Sequence, residues 1–237
     1  SAASDVYKRQ DISELISKLT ESKFLKVKSV FTHLVGSEDL KHDAFTKEQI
    51  SSFKSSCTLF EEKLGYAFIK HVLNTAGVIR FPDAQFDMIR LGIGLYGIGS
   101  NAEEITQIKN VSSLKTAISQ IKNISKGSSI GYDRKFVAPK DMRIATVSIG
   151  YADGLSRALS NGKGKMIIHG KRAPIVGNVC MDMCMLDITD TPCAEGDEVI
   201  VFGNGYTAYE MAKDMGTIPY ELFTSISRRV KRVYFHE

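Results

Sequence analysis

Residues 66–98 read YAFIKHVLNTAGVIRFPDAQFDMIRLGIGLYGI and decide our interpretation of the first half of the chain. The apolar run Tyr66 to Leu73 predicts a strand, which the polar turn Asn74 to Gly77 ends. A second apolar run, Phe86 to Leu91, predicts another strand, and a glycine-rich loop follows it. Because the pattern alternates with predicted helices, it is typical of parallel α/β structure.

Upstream of this stretch the sequence predicts two helices and one strand. A capping-box spacing at residues 11–14 opens the first helix, and the β-branched run Lys26 to Val35 predicts a strand. A second capping-box spacing at residues 46–49 opens a helix that ends near Leu64, just before a glycine. Residues Ser1 to Gln10 fit no predicted element and read as an assembly scar.

Downstream, apolar runs become short and are separated by glycines, which predicts a mostly antiparallel β domain. The predicted strands are Val111–Ile124, Arg143–Ile149, Lys165–His169, Arg172–Val179, Met183–Ile188, Glu198–Phe202 and Arg228–Phe235. One helix is predicted at Thr207–Met215. We therefore expect an α/β domain at residues 11–108 and a β domain at residues 109–237.

Composition excludes several classes of function. The excess of 31 basic over 27 acidic residues is small and forms no basic stripe, so we expect no nucleic-acid partner. No apolar run is long enough to span a bilayer, so we expect no membrane partner. The 4 cysteines lack metal-ligand spacing. We therefore expect free thiols, a cytoplasmic location and no metal site.

The string Gly92-Ile93-Gly94-Leu95-Tyr96-Gly97 matches the dinucleotide pattern GxGxxG. No helix clearly opens there, which argues against that interpretation. Two alternatives remain: a glycine-rich chain reversal, or backbone N–H groups that bind a phosphate. In TIM barrels phosphate sites follow the seventh and eighth strands, which would correspond here to Asn74-Thr75 and Gly92-Ile93.

Three polar side chains have both a structural and a functional interpretation. His33 ends an apolar strand, where barrel chemistry occurs, although a hydrogen-bonded structural histidine is the common case. Arg90 lies in an apolar run and needs either a ligand or an acidic partner such as Asp87. Tyr132, in the string Ile130-Gly131-Tyr132-Asp133-Arg134, has the local pattern of a surface turn residue.

Several strings occur together in a characteristic order from about Asp11 to Glu237. They are Phe31-Thr32-His33-Leu34, His71-x-x-Asn74-Thr75-Ala76, Ile89-Arg90-Leu91-Gly92-Ile93, Gly150-Tyr151-Ala152-Asp153-Gly154, Cys180-Met181-Asp182 and Arg229-Val230-x-Arg232. In order and spacing the chain resembles the alanine racemase family. The resemblance implies the C-terminal part of a TIM (β/α)8 barrel followed by a β domain, with pyridoxal 5′-phosphate as cofactor and alanine as substrate.

The resemblance also implies roles for individual residues. The catalytic group comprises Tyr132, His33 and Arg90, with His33 and Arg90 in a hydrogen-bonded chain beside the tyrosine and Arg90 facing the pyridine nitrogen of the cofactor. Cofactor binding is expected of Asn74, Thr75, Arg90, Gly92, Ile93 and Arg228, the last at a place where some relatives have a tyrosine. Substrate binding is expected of Met181, Asp182, Tyr151 and Arg157.

Racemisation requires two acid/base groups on opposite faces of a planar intermediate. In the family these are the tyrosine and the lysine that carries the cofactor. A free tyrosine titrates near ~10, so the phenolate must be stabilised for the tyrosine to act as a base at neutral pH. A lysine string like A-V-x-K-A-x-A-Y-G is absent here. We therefore expect a truncated, inactive chain.

The whole protein is then expected to be a homodimer that builds each active site from two subunits. It would supply D-alanine for peptidoglycan precursors. The alternatives are an amino-acid racemase of broader specificity, a non-catalytic dimerisation or docking module, and a fold-related decarboxylase. The decarboxylase fits worst, because the Gly150–Gly154 and Cys180–Met183 strings are racemase-like.

Overall fold

A computed structural model of the chain describes residues 9–99 and 108–234. It divides into unit 1, which ends at Lys109, and unit 2, which begins at Asn110. Unit 1 pairs its strands in parallel and contains helices, whereas unit 2 is built around a closed antiparallel barrel. The α/β-plus-β fold class expected from the sequence is confirmed.

Within residues 9–99, unit 1 combines a short parallel strand pair with three helices. Its elements are α1 (Arg9–Glu21), β1 (Ser29–Phe31), α2 (Asp43–Leu64), β2 (Ile69–His71) and α3 (Thr75–Arg80), with 3-10 turns at Leu40–His42, Pro82–Ala84 and Ile93–Tyr96. In the strand pair, Ser29 lies opposite Ile69 and Phe31 lies opposite His71. Because the pairing is parallel, the carboxyl ends of β1 and β2 lie at one edge.

The core of unit 1 lies between the two long helices and the strands. Its buried residues are Ile16, Leu34, Ile50, Phe53, Cys57, Phe60, Phe68, Val72, Leu73, Phe81 and Ala84. In α2 the buried positions recur every three or four residues, which places them on one helical face. This face fixes α2 against the strands whose ends carry the candidate residues.

Several boundaries in unit 1 differ from those predicted. The helix α2 begins at Asp43, so the predicted start at residues 46–49 is wrong; the Thr46 hydroxyl donates to the His42 carbonyl inside the helix. Its predicted end is confirmed, since Gly65 has a φ of 74° and caps it. Arg9 and Gln10 belong to α1, so this helix begins before its predicted start at Asp11, and the assignment of residues 1–10 to a scar stays a prediction. Residues 1–8 lie outside the described residues.

The segment Phe86 to Leu91 is not a strand, in contrast to the sequence-based expectation. It contacts the β2 region through two backbone hydrogen bonds, from Asp87 N–H to Lys70 O at 3.1 Å and from Arg90 N–H to Leu73 O at 2.9 Å. These bonds hold Arg90 beside the end of β2 without a regular ladder.

Unit 2 contains eight strands in its described part. They are β3 (Leu114–Ile124), β4 (Ser129–Ile130), β5 (Phe136–Val137), β6 (Met142–Val147), β7 (Lys165–Ile168), β8 (Lys171–Val176), β9 (Cys184–Asp187) and β10 (Glu198–Phe202). Six of them close into a barrel in the order β10-β3-β6-β9-β8-β7, and β4 and β5 form a separate hairpin. Closure leaves the barrel without free edges.

Two helices follow the barrel, α4 (Ala208–Met215) and α5 (Pro219–Ser225). The predicted helix is confirmed as α4, with Thr207 as its N-cap. The sequence did not predict α3, α5 or the β4–β5 hairpin. The predicted closing strand Arg228–Phe235 is wrong, because residues 228–234 form no strand, and Phe235 lies outside the described residues.

Candidate active site

Arg90 organises the candidate site of unit 1. Its Nη1 lies 2.5 Å from Nδ1 of His71 and donates to the His71 carbonyl at 3.1 Å. Its Nη2 donates to the carbonyls of Thr32, at 2.8 Å, and Val72, at 3.3 Å. A single guanidinium therefore joins the segments that follow β1 and β2.

The partner of Arg90 fixes the state of the His71 ring. A guanidinium can only donate hydrogen bonds, so we assign Nδ1 as the acceptor and place the proton on Nε2. Burial, followed by the positive charge of Arg90, lowers the pKa of His71. The His71 ring also stacks on Phe31, with ring centroids 5.1 Å apart. His71 is therefore neutral at neutral pH.

The expected contact between His33 and Arg90 is not found among the described residues, where Arg90 pairs with His71 instead. The physical reason is the strand register, which puts His71 opposite Phe31 at the end of the sheet. The backbone at His33 is held by Gln49 of α2, whose Nε2 donates to the His33 carbonyl at 2.7 Å. The His33 side chain is exposed, and its catalytic role stays a prediction.

Thr75 joins the start of α3 to the glycine-rich loop. Its buried hydroxyl oxygen accepts hydrogen bonds from the N–H groups of Gly92, at 3.2 Å, and Gly94, at 3.3 Å. A Cβ on Gly94 would lie 2.7 Å from Cγ2 of Thr75, so only glycine allows this approach. The Gly92 amide, expected to face a phosphate, thus donates to Thr75, which keeps its own O–H to donate elsewhere.

The Asn74 side chain joins the start of α3 to the segment that follows β1. Its Oδ1 accepts from Gly77 N–H at 3.0 Å and from the Ser37 hydroxyl at 2.9 Å, while its Nδ2 donates to the Leu34 carbonyl at 3.2 Å. Ile93 follows Gly92 and has a buried side chain. The structure thus brings Asn74, Thr75, Gly92 and Ile93 into one loop cluster.

Tyr132 lies in the turn between β4 and β5 in unit 2 and is 75% exposed. Three residues around it have positive φ angles: Gly131 at 75°, Asp133 at 62° and Arg134 at 50°. Left-handed geometry at two consecutive non-glycine residues is uncommon and makes the turn sharp. Tyr132 borders a cavity of about 460 Å³ that is also lined by Gln120, Lys122, Cys180, Met183 and Met185.

Two loops of unit 2 that carry predicted substrate residues are joined backbone to backbone. Tyr151 N–H donates to the Cys180 carbonyl and Ala152 N–H donates to the Met181 carbonyl, both at 3.0 Å. A Cβ on Gly150 would lie 2.3 Å from both of these carbonyl oxygens. Glycine at this position is therefore a condition for the contact between the loops.

Arg229 connects the same loops through their carboxylates. Its Nε donates to Oδ1 of Asp153 at 2.6 Å, and its Nη2 donates to Oδ1 of Asp182 at 2.5 Å. Burial disfavours the charge on Asp153, but the hydrogen bonds from Arg229 and the Gly150 N–H outweigh it and lower the pKa of Asp153. The two carboxylates raise the pKa of Arg229.

The remaining predicted residues are exposed. Met181 and Asp182 lie at the surface beside Tyr151. Arg157 begins a 3-10 turn capped by Ser156, and its charge partly offsets the burial that raises the pKa of Cys180. Arg228 is exposed next to Arg229, and its predicted contact with a phosphate stays a prediction.

His71 and Arg229 are the two site residues that the sequence did not single out. Both lie inside family-like strings, the one that starts at His71 and the one that starts at Arg229. Their roles depend on contacts with residues that are distant in the sequence. Within residues 9–99 and 108–234, no cluster of His, Cys, Asp and Glu side chains has the arrangement of a metal site. In the same part of the chain, no helix has the length and apolar character needed to cross a membrane.

Comparison with known proteins adds independent information. The family model "Alanine racemase, N-terminal domain" matches residues 7–100, and "Alanine racemase, C-terminal domain" matches residues 111–234. Alanine racemase 1 of Clostridium acetobutylicum is 37% identical over 238 residues, covering 97% of this chain and 58% of that relative. The chain thus spans less than two thirds of the relative's length.

Solved structures agree in fold. The alanine racemase of Bartonella henselae with covalently bound pyridoxal phosphate has a TM-score of 0.86 and 31% identity, covering 96% of this chain and 62% of that one. The alanine racemase of Clostridium difficile 630 in complex with cycloserine has a TM-score of 0.84 and 35% identity, covering 94% and 60%. With two models of one family matched in order along its length, the chain belongs to the alanine racemase family.

Proposed function

We propose that the whole protein is a pyridoxal-phosphate-dependent alanine racemase that interconverts L-alanine and D-alanine. The proposal depends mainly on one cavity in unit 2, because Tyr132 and the Cys180–Met183 loop both line it. It puts a candidate proton-transfer group next to the loop whose Met181 amide would contact the substrate carboxylate. Family membership, and the pyridoxal phosphate and cycloserine bound by the two solved relatives, support it.

The residues of unit 1 fit the proposed cofactor. A phosphate needs donors, and the Thr75 hydroxyl, which already accepts two N–H groups, keeps its proton to donate. A pyridine nitrogen needs one partner, and Arg90 is a permanent cation held in place by three carbonyls. Thr75, Ile93 and Arg90 would hold the cofactor, with Asn74 and Gly92 shaping the loop. When bound, pyridoxal phosphate would supply the electron sink that stabilises the deprotonated Cα.

Arg90 and His71 together set the charge of this site. A cation facing the ring nitrogen disfavours protonation of that nitrogen. His71 adds no second positive charge, because burial and Arg90 lower its pKa. Arg90 would therefore restrain the electron sink and favour reprotonation at Cα over side reactions.

Tyr132 would move the proton on one face of Cα. Its exposed position allows the phenol to approach a substrate, and the sharp turn around it fixes the backbone. The Met181 amide would orient the substrate carboxylate, with Asp182, Tyr151 and Arg157 around the entry. The opposite face requires a second acid/base group, a role that the family resemblance gives to the cofactor-bearing lysine.

Tyr132→Phe in the whole protein tests the proposal. We expect wild type to racemise alanine with added pyridoxal phosphate and to exchange the α-proton of both enantiomers in D2O. The variant should lose exchange for one enantiomer and retain binding of the cofactor. An unchanged rate in Tyr132→Phe would contradict this role and favour a docking module. Faster turnover of serine or lysine than of alanine would favour a racemase of broader specificity.

We also propose that the whole protein is a cytoplasmic homodimer whose sites combine unit 1 of one subunit with unit 2 of the other, and that its D-alanine enters peptidoglycan. Mixing Tyr132→Phe with Arg90→Met subunits tests the sharing. Because half of the random dimers are mixed and each has one intact site, activity should return to about a quarter of wild type. No return of activity, or an active monomer in sedimentation, would contradict the shared site.

A further inference from the structure

Residues 225–232, which start at the last residue of α5, form a strap that runs along the Gly150–Gly154 loop. Ser227 N–H donates to the Asp153 carbonyl at 3.0 Å, and the Ser225 hydroxyl donates to the Gly154 carbonyl at 3.2 Å. Gly154 has a φ of +106°, and a Cβ there would lie 2.4 Å from the Ser225 carbonyl oxygen. The strap and the loop are therefore in direct backbone contact.

Arg232 gives the strap its shape. Its Nη1 donates to the carbonyls of Ser227, at 3.3 Å, and Val230, at 3.1 Å, and its Nη2 donates to the Ile226 carbonyl at 3.2 Å. These bonds satisfy carbonyls that a strand would have paired with a neighbouring strand. The resulting curl brings the Arg229 side chain to the two loops.

We propose that Arg229 is a positioning residue that clamps the Gly150–Gly154 loop to the Cys180–Met183 loop and thereby fixes the Met181 amide for the substrate carboxylate. This inference rests on the racemase function proposed above. One guanidinium holds Asp153 at 2.6 Å and Asp182 at 2.5 Å, one carboxylate from each loop. The planar fork of arginine suits such a bridge, whereas a lysine ammonium is a point charge.

The clamp reinforces a contact that is otherwise narrow. In the described part of the chain, the main-chain hydrogen bonds between these loops are those of Tyr151 and Ala152 to Cys180 and Met181. The Asp153 side chain is only 13% exposed, so loss of Arg229 would leave a carboxylate largely buried without its cation. The two carboxylates drawn to one guanidinium would then repel each other, and the loops would separate.

Hydrogen–deuterium exchange of the whole protein tests the clamp directly. Arg229→Ala and Arg229→Lys are compared with Arg172→Ala, which removes an arginine of similar exposure whose partner, Glu210, lies at 3.0 Å. In Arg229→Ala, peptides with the Tyr151 and Ala152 amides should exchange about fivefold faster, the scale of a partly exposed ion-pair network, and in Arg229→Lys the acceleration should be smaller. Peptides from β6 should be unchanged, and in Arg172→Ala the peptides with the Tyr151 and Ala152 amides should exchange as in wild type.

Kinetics then separate positioning from general stability. In Arg229→Ala the KM for alanine should rise about fivefold with a smaller change in kcat, because a ground-state carboxylate contact is loosened. Arg229→Lys should lie between wild type and Arg229→Ala. Unchanged exchange at the Tyr151 and Ala152 amides, or equal acceleration in β6, would overturn the clamp. If the wild-type protein does not turn over alanine, the proposed function is overturned. The hydrogen–deuterium exchange result would still show whether Arg229 holds the two loops together.

Discussion

Among single residues, Arg90 has the most consequences for unit 1. It lies in a segment without regular structure, yet its guanidinium pairs with a ring nitrogen and three carbonyls at the ends of β1 and β2. Carbonyls at the end of a short strand pair have no partner in a neighbouring strand, so they accept hydrogen bonds from side chains instead. Arg90 is thus a structural residue of the sheet end as well as a candidate for cofactor binding.

Replacing Arg90 should therefore weaken the fold of unit 1 even without ligands. We expect Arg90→Met to lower the free energy of unfolding by about 2 kcal/mol, because it leaves buried acceptors without donors. Urea denaturation followed by circular dichroism measures this change. Lys54→Met, which removes an exposed cation of α2, should stay within about 0.5 kcal/mol of wild type. Equal effects of the two substitutions would contradict this account.

His71 predicts a pH dependence of stability. Its pKa is lowered by burial and by Arg90, so the unfolded state takes up this proton at a higher pH than the folded state does. At pH values between the pKa of His71 in the folded state and that in the unfolded state, the unfolded chain binds more protons. The free energy of unfolding must therefore fall as pH falls below about 6.5. His71→Gln, which can still accept from Arg90, should flatten the decline. Urea midpoints from pH 8 to pH 5 measure it, and identical slopes in both proteins would refute it.

At the scale of elements, the sequence correctly predicted strands and helix ends that depend on local patterns. The predicted strand Glu198–Phe202 matches β10 at both ends, and the helix end before Gly65 is confirmed. Apolar alternation, or a residue able to take a positive φ, decides such features locally. Strands of three residues, such as β1 and β2, carry too little pattern, so their predicted lengths were too great.

The predicted strand Arg228–Phe235 failed for a different reason. Its alternation of basic and apolar residues is strand-like, but Arg229 binds two carboxylates and Arg232 binds three carbonyls of its own segment. Charge-assisted hydrogen bonds to distant partners outweigh local β-propensity here. The same limit explains why Arg90 pairs with His71 and not with His33, since the sequence cannot show which histidine the strand register brings to Arg90.

The helix α4 offers a prediction at this scale. The Thr207 hydroxyl accepts from Glu210 N–H at 3.1 Å, and the Glu210 carboxylate accepts from Thr207 N–H at 2.9 Å, which forms a capping box. Thr207→Ala should lower the free energy of unfolding of unit 2 by about 1 kcal/mol. Thr207→Ser keeps the hydroxyl and should stay close to wild type. If urea denaturation shows the same loss for both, the cap is not the cause.

At the scale of the whole molecule, most predicted site residues fall into two groups, one in each unit. Unit 1 gathers Asn74, Thr75, Arg90, Gly92 and Ile93 around the ends of its strands, whereas unit 2 gathers Tyr132 and the loops held by Arg229. Motif spacing singled out these residues, and their roles in the reaction stay predictions. It did not predict the residues that hold each group together, because these act through contacts between distant parts of the sequence.

We expect the two units to unfold separately, and a buried cysteine in each core makes this measurable. Each core contains a buried cysteine whose pKa is raised by burial, to about 11 for Cys57 in unit 1 and to about 12 for Cys184 in unit 2. Both thiols should resist alkylation in the native protein, because the reactive thiolate is scarce and access is blocked.

Pulsed alkylation with mass spectrometry at increasing urea concentrations reports each core by its own cysteine. The described sheet of unit 1 has two strands of three residues, whereas the unit 2 barrel is closed and has no edge from which to fray. Cys57 should therefore become reactive at a lower urea concentration than Cys184. Cys57→Ala and Cys184→Ala identify the labelled peptides. A single midpoint shared by both thiols would show that the chain unfolds as one cooperative body.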